Sequence, residues 1–128
     1  MRGYVLNIEQ ETLDNNDYRR VLYTAKSSQL VLMCIQPGDE VGEEIHGVDQ
    51  FLRIEEGEGK VYIDENEYEV KKEFAVIIPQ GAKHNVVNTG TIPLRLYSLY
   101  SPAEHKDRTV HKTKADEKEE HFDGKTTE

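Results

Sequence analysis

The sequence predicts an all-β domain, either a sandwich or a barrel, and three observations support that prediction. Short runs rich in β-branched and aromatic residues recur roughly every 8–12 residues along most of the chain. Turn-forming residues separate these runs, for example Pro-Gly-Asp at 37–39 and Glu-Gly-Glu-Gly at 56–59. No stretch before residue 100 shows a convincing helical period. Short strands punctuated in this way are typical of sandwiches and barrels.

The apolar runs define a set of candidate strands. They cover residues 18–24, 29–36, 41–46, 50–55, 60–64, 67–71, 74–78, 84–88 and 93–100. The run at 29–36 is apolar at most positions and contains the only cysteine, Cys34. We interpret Cys34 as a buried, inert thiol, because a free cysteine in an apolar strand behaves as a small hydrophobic residue.

The two ends of the chain differ from its centre, and we divide it into an N-terminal segment (1–17), a barrel (18–101) and a polar tail (102–128). The N-terminal segment is acidic, and its one apolar cluster predicts an edge strand over residues 4–8. The tail has too little apolar surface to order itself. We predict a short polar helix near 114–121, disorder over 124–128, and solvated side chains at His105, His111 and His121.

Composition excludes some classes of partner. The chain has 128 residues and a net charge of −9. Because nucleic-acid binding depends on clustered lysine and arginine, an acidic chain argues against it. No apolar run approaches the roughly 20 residues that cross a bilayer, and the first residues lack an apolar signal segment. With a single cysteine, these features predict a cytoplasmic protein without a membrane partner.

The first of two punctuated blocks runs from Gly38 to Gly57 in the pattern Gly-x5-Glu-x-His-x3-Gln-x6-Gly. Its polar members are Glu44, His46 and Gln50. Glu44 and His46 are two residues apart, so on a strand they share one face with Cα atoms about 6.6 Å apart. Gln50 falls on the apolar face of its strand and is therefore expected to point inward.

The second block reads Pro-x-Gly-x2-His-x3-Asn and runs from Pro79 to Asn88. His84 shares a strand face with an apolar neighbour, which again predicts an inward side chain. In a small barrel, His84 would lie in the same interior as the polar residues of the first block. We interpret Asn88 as the residue that caps the turn into residues 89–90.

Three of these side chains also have a simpler interpretation. Glu44 belongs to an acidic run and fits an exposed strand carboxylate. Gln50 fits a buried amide that orients Glu44 or a water molecule. His84 fits a buried histidine that is hydrogen-bonded to the backbone. For His46 a metal-binding role is favoured, because two other potential ligands, Glu44 and Gln50, lie close to it in the sequence.

The two blocks resemble the two motifs of the cupin superfamily, which read Gly-x5-His-x-His-x3/4-Glu-x6-Gly and Gly-x5-Pro-x-Gly-x2-His-x3-Asn. His46 and His84 match, whereas Glu44 replaces the first histidine, Gln50 the glutamate and Glu73 the opening glycine of the second motif. The chain is similar to small single-domain cupins described as sugar-phosphate-isomerase-like, or RmlC-like. The resemblance implies a double-stranded β-helix, which is a jelly-roll barrel, with a metal near one mouth.

The resemblance also implies a ligand set made of Glu44, His46, Gln50 and His84. Two imidazoles and one carboxylate suit one divalent transition metal, namely Fe, Mn, Ni, Co or Zn. Because an amide carries no charge, the ion would keep a residual positive charge. We therefore expect weaker metal binding and greater Lewis acidity than with a fully anionic set.

Several functions remain open for such a site. The first is a metal enzyme acting on a small oxygen-rich molecule, either a dioxygenase or an isomerase of a sugar or keto compound. The second is a non-catalytic module that binds a sugar or carboxylate, and the third is a metal-free barrel. We also predict a homodimer, because Phe51, Arg53 and Glu55 share a strand face that fits a two-fold contact.

Overall fold

A computed structural model describes all 128 residues and confirms an all-β jelly-roll fold. The elements in chain order are α1 (Ile8–Asp14), β1 (Arg19–Thr24), β2 (Gln29–Ile35), β3 (Glu44–Ile45), β4 (Asp49–Glu56), β5 (Glu58–Ile63), β6 (Asn66–Lys71), β7 (Ala75–Ile78), β8 (Lys83–Asn88), β9 (Leu94–Ser101), β10 (Val110–His111) and a 3-10 turn (Lys114–Asp116). All strand pairs are antiparallel. One sheet has the order β10-β1-β2-β9-β4-β7, and the other has the order β3-β8-β5-β6. No helix has the length and apolar character that crossing a membrane requires.

The hydrophobic core lies between the two sheets. Strand β4 shows the alternation that the sequence predicts, since Gln50, Leu52 and Ile54 are buried while Phe51 and Arg53 are half-exposed. Further core side chains come from both sheets: Met33, Ile35, Val61, Val70, Ile78, Val86, Leu94 and Leu96. The core therefore fills most of the barrel and leaves polar side chains near one mouth.

The outer face of β4 differs from the predicted Phe51–Arg53–Glu55 patch. Glu55 is buried and pairs with Arg53, whose Nε lies 2.5 Å from its carboxylate. A register shift follows Ile54 in the pairing of β4 with β9. Strand parity predicted the side that Glu55 shares with Arg53, but not that Glu55 would be buried there.

The N-terminal segment contains a helix, so the predicted edge strand over residues 4–8 is wrong. The side chain of Asn7 caps α1 by accepting a hydrogen bond from the backbone N–H of Gln10 at 3.1 Å. Glu9 and Glu11 lie in the first turn, where the helix dipole favours negative charge. The helix has seven residues, which is too short for its period to emerge from the sequence. The Asn7 cap is the sequence feature from which this helix could have been predicted.

The C-terminal tail is ordered, so the disorder predicted for 124–128 is also wrong. β10 pairs with the edge of β1, where Arg19 lies opposite His111. Further along, the backbone N–H of Thr127 donates to the carbonyl of Thr24 at 2.9 Å. An edge strand offers unpaired backbone groups, so the tail gains hydrogen bonds without a core of its own. Of the helix predicted near 114–121, only the 3-10 turn forms.

Residues of the two blocks form the turns that the sequence pattern predicts. Gly57 has φ of +89°, and a Cβ there would lie 2.7 Å from the carbonyl oxygen of Pro93. Glu73 has φ of +76°, which fits the position where the cupin pattern has a glycine. Asn88 caps its turn as predicted, because its Oδ1 accepts from the N–H of Gly90 at 2.9 Å.

Candidate metal centre

Three of the four predicted ligands meet at one mouth of the barrel. Glu44 on β3 lies directly opposite His84 on β8, and His46 follows β3 on the same side. One carboxylate oxygen of Glu44 and one ring nitrogen of each histidine all lie within 4.8 Å of one another. This spacing is close enough for one ion to contact all three.

Gln50 lies beside this group. It is 6% exposed and lines a small cavity of about 20 Å³ together with Glu44, His46 and His84. Its Nε2 donates to Ser98 Oγ at 3.1 Å, while its Oε1 is buried without a partner. An unpaired buried carbonyl oxygen is costly, and a cavity of this size has room for one water molecule or one ion.

His84 is held in a form suited to binding a cation. Its Nδ1 lies 3.0 Å from the carbonyl oxygen of Ala82. Because a carbonyl only accepts hydrogen bonds, Nδ1 must carry the proton, which leaves a lone pair on Nε2. Burial lowers the pKa of His84, so the ring remains neutral near pH 7. The Ala82 carbonyl is the supporting acceptor that the sequence did not reveal.

Glu44 and His46 form a close pair, since Nε2 of His46 contacts the Glu44 carboxylate. Burial raises the pKa of Glu44. The hydrogen bond and charge of His46 lower that pKa by a larger amount, so the carboxylate stays ionised. Burial likewise lowers the pKa of His46, but Glu44 raises it more. Nδ1 of His46 is buried without a partner. The donor set therefore combines an anionic carboxylate with a buried ring nitrogen that has no hydrogen-bond partner, which fits a cation.

An aromatic wall encloses one side of the group. The ring of Tyr100 lies 5.8 Å from that of His46 and 5.2 Å from that of His105. Burial raises the pKa of Tyr100 well above its usual range, so the phenol stays neutral. Burial also lowers the pKa of His105 to about 2, with a further contribution from the charge of Arg19. Both rings are therefore uncharged near pH 7.

Two of the three tail histidines are buried, which corrects the prediction that all are solvated. His105 and His111 are 9% and 7% exposed. His121 remains largely exposed, as predicted, and pairs with Glu104 at 3.3 Å. Burial of His105 and His111 follows from packing of the tail against β1 and Tyr100, which no local pattern signals.

A wider opening of about 540 Å³ leads outward from the group, and the tail forms one of its walls. Its lining comprises Arg19, Glu43, Glu44, Ile45, His46, Glu104, His105 and residues 117–121. Arg19 lines both this opening and the small inner cavity. The sequence reasoning missed Arg19, Glu104 and Glu117, because their approach to the site depends on how the tail folds back.

The family follows from a match that covers more than half of the chain. Residues 31–100 match the family model of the cupin domain. The chain belongs to the cupin family. The match includes both motif blocks and the strands β4 to β9, whereas Arg19 and the tail lie outside it.

Individual relatives support the same family. The chain is 45% identical to the uncharacterized protein YrkC of Bacillus subtilis over 122 residues, covering 90% of this chain and 66% of YrkC, just under two-thirds. It is 48% identical to BH2720 of Bacillus halodurans, whose crystal structure superposes with a TM-score of 0.88, covering 90% of this cupin and 92% of that chain. A predicted oxalate decarboxylase of Thermotoga maritima is 24% identical with a TM-score of 0.57, covering 60% of this chain and 68% of that one, and shares the fold alone.

Proposed function

We propose that this cupin holds one divalent transition metal through Glu44, His46, Gln50 and His84 and acts as an enzyme on a small oxygen-rich molecule. The observation that supports the proposal is the convergence of three donor groups within 4.8 Å at the inner end of an opening. The unpaired Oε1 of Gln50 adds a fourth donor in the same cavity. Fe, Mn, Ni, Co and Zn all accept such a set.

A metal bound there would supply Lewis acidity toward a substrate oxygen, together with redox chemistry if it is iron. The protein's own residues shape the environment of that chemistry. Tyr100 and the core behind it keep water from the inner side of the site, which strengthens electrostatic interactions. His84 is fixed in one tautomer by Ala82, so its orientation is set before substrate binds.

Substitution of Glu104 distinguishes the two reaction types that the sequence left open. Its carboxylate is largely buried, lines the opening and pairs with His121 at 3.3 Å. In an isomerase, Glu104 is the group placed to accept a proton from a carbon next to a carbonyl group. A dioxygenase would not depend on this carboxylate for such a step. Loss of turnover in Glu104→Gln with unchanged metal content would therefore favour isomerisation.

Metal content tests the proposed site. We expect close to one equivalent of metal in the wild-type protein after loading, and less than a tenth in His84→Ala. His121→Ala provides a matched control, because that side chain is 67% exposed and lies outside the donor group. Equal metal content in His84→Ala and wild type would contradict the proposal.

Turnover assays test the enzyme assignment. The iron-loaded protein should consume oxygen with at least one of a panel of catechols, diketones and thiols, or the metal-loaded protein should interconvert isomeric sugars or keto acids. Thermal shift in the same panel identifies compounds that bind. Compounds that bind and are never consumed would favour the alternative, a non-catalytic module for a sugar or carboxylate.

We further propose that this cupin is a homodimer in the cytoplasm. A row of apolar side chains crosses the outer face of the large sheet, where Phe51 lies opposite both Ile77 and Leu99, and Leu99 lies opposite Leu30. Ile77 is 68% exposed. A contiguous apolar row of this kind is suited to a contact between two copies. The lone, buried Cys34 fits a reducing compartment.

A further inference from the structure

Arg19 is a buried cation beside the donor group. It is the first residue of β1 and is 3% exposed. Its side chain lines the inner cavity of about 20 Å³ that Glu44, Gln50 and His84 also line. A buried arginine normally has partners for its charge and for its N–H groups, because burying either without compensation is unfavourable.

The guanidinium of Arg19 is only partly satisfied. Nη1 donates to Glu117 Oε2 at 2.6 Å and lies 3.2 Å from Nδ1 of His111. Nε is buried and has no hydrogen-bond partner. Since a guanidinium binds a carboxylate best with two parallel N–H groups, Arg19 retains donor capacity that Glu117 does not use.

Glu117 comes from the tail and lies in the opening itself. It follows the 3-10 turn, and its carboxylate is one-third exposed. A carboxylate from the chain's own tail is thus bound to the guanidinium of Arg19, beside the donor group.

We propose that Arg19 binds the carboxylate group of a small carboxylic acid substrate, and that Glu117 occupies this position until the substrate displaces it. This inference rests on the proposed function, because it names the class of substrate for that site. A small carboxylate can bind the parallel N–H groups of Nη1 and Nη2 together, whereas Glu117 contacts Nη1 alone. The planar fork of arginine favours such two-point recognition.

Displacement of Glu117 also changes the wall of the opening. The other side-chain ties of this part of the tail are Lys114 to Asp39 at 3.1 Å and His121 to Glu104 at 3.3 Å. Ion pairs with a solvent-exposed partner contribute little to stability. Arg19 is the most buried partner in these ties, so its exchange for a substrate carboxylate frees residues 117–120 from the opening, while His121 stays paired with His105 through a β-bridge.

The charge of the opening supports this order of events. Six carboxylates and two cationic side chains line it, which gives a net charge of −4 with neutral histidines. Without residues 117–120 the lining has three carboxylates and Arg19, which gives −2 with neutral histidines. A divalent metal would neutralise that charge. An anionic substrate is therefore admitted once the tail segment has moved and the metal is bound.

Calorimetric titration of the full-length, metal-loaded chain with pyruvate tests the exchange, with methyl pyruvate as the uncharged probe. Glu117→Gln should raise pyruvate affinity at least about fivefold, because a competing carboxylate is removed. Arg19→Lys should lower it at least about tenfold, because the two-point fork is lost. Neither variant should change the affinity for methyl pyruvate. Lys114→Gln is the matched control, since it loosens the tail while Glu117 stays on Arg19.

Two results would overturn the inference. One is unchanged or weaker pyruvate binding in Glu117→Gln, which would make the pair with Arg19 a structural tie for the tail. The other is hydrogen exchange of residues 113–121 in the wild-type protein that pyruvate does not accelerate, a measurement that needs no variant. Metal content is measured on every sample. A protein that binds metal but not pyruvate overturns this inference alone, whereas a protein without metal affinity overturns the proposed function.

Discussion

Glu44 and His84 lie directly opposite each other on β3 and β8, so their side chains project from the small sheet to the same side. Strand β3 has only two residues, Glu44 and Ile45, and its ladder pairing is with β8 alone. An ion held between Glu44 and His84 would therefore also fasten β3 to the sheet. Metal binding and local stability of this mouth should change together.

Metal removal should lower the melting temperature and loosen β3. At a free-ion concentration 100 times Kd, binding to the folded state alone adds about 2.7 kcal/mol, which corresponds to a rise of several degrees. Calorimetry with and without a chelator measures the global effect, and hydrogen exchange at residues 44–46 measures the local one. Equal melting temperatures for both forms, at verified metal occupancy, would contradict this coupling.

Gln50→Glu should raise metal affinity, because it adds a negative charge within the donor group. We expect at least a tenfold gain, since about 1.4 kcal/mol of added attraction is sufficient. Without metal the same variant should be less stable than wild type, because a second buried carboxylate is placed near Glu44. Competition with a metal-binding dye and urea denaturation measure the two effects.

Gln36→Glu is the matched control for that substitution. Gln36 is exposed, so the variant carries the same added charge away from the site. If Gln36→Glu and Gln50→Glu changed metal affinity equally, the gain would reflect the overall charge of the protein and not a ligand at Gln50.

Stability should fall as the pH drops below about 6.5, in part because of His105. Burial lowers the pKa of His105 to about 2 in the folded protein, so between roughly pH 6.5 and 2 the unfolded chain binds the additional proton. Protonation then favours the unfolded state by about 1.4 kcal/mol per pH unit for each proton. This stabilisation is fully present above pH 6.5 and is lost as the pH falls.

Urea denaturation between pH 7 and pH 4.5 checks this prediction. His105→Gln should reduce the pH dependence by close to one proton, because glutamine does not titrate. His121→Gln should leave it nearly unchanged, since His121 is largely exposed. The same slope in His105→Gln and wild type would show that His105 is readily protonated in the folded protein.

Ile77→Asp should convert a dimer to a monomer if two copies meet through the apolar row on the large sheet. A charge placed at the row's most exposed member would be desolvated in the contact, which is strongly unfavourable. Ile92→Asp is the control, because Ile92 is 48% exposed in the turn before β9 and lies outside the row. Sedimentation equilibrium distinguishes the states. A wild-type monomer at micromolar concentration would refute the dimer proposal.

Much of the barrel could be predicted because its signals are local. Turn residues such as Gly57 and Asn88 mark strand ends through their own backbone geometry or side-chain hydrogen bonds. Alternation along β4 correctly placed Gln50 inside. Glu55 pairs with Arg53 on the predicted side, but it is buried there, which strand alternation did not predict.

The ends of the chain were predicted poorly because their order depends on distant partners. The helix α1 is short and is identified by its Asn7 cap more than by a repeating pattern. The polar tail has little apolar surface, yet it is ordered by backbone pairing with β1 and by contacts such as Arg19 with Glu117. Sequence composition describes what a segment can bury, not which edge it will meet.

The sequence by itself determined the barrel, its turns and the inward direction of Gln50 and His84, because strand alternation and turn geometry act between near neighbours. Only the tertiary structure decided that Glu44 faces His84 and that Arg19 meets Glu117 over the opening. Those contacts join residues far apart in the chain. They depend on strand register and on the edge to which the tail attaches, and neither is encoded in any short stretch of residues.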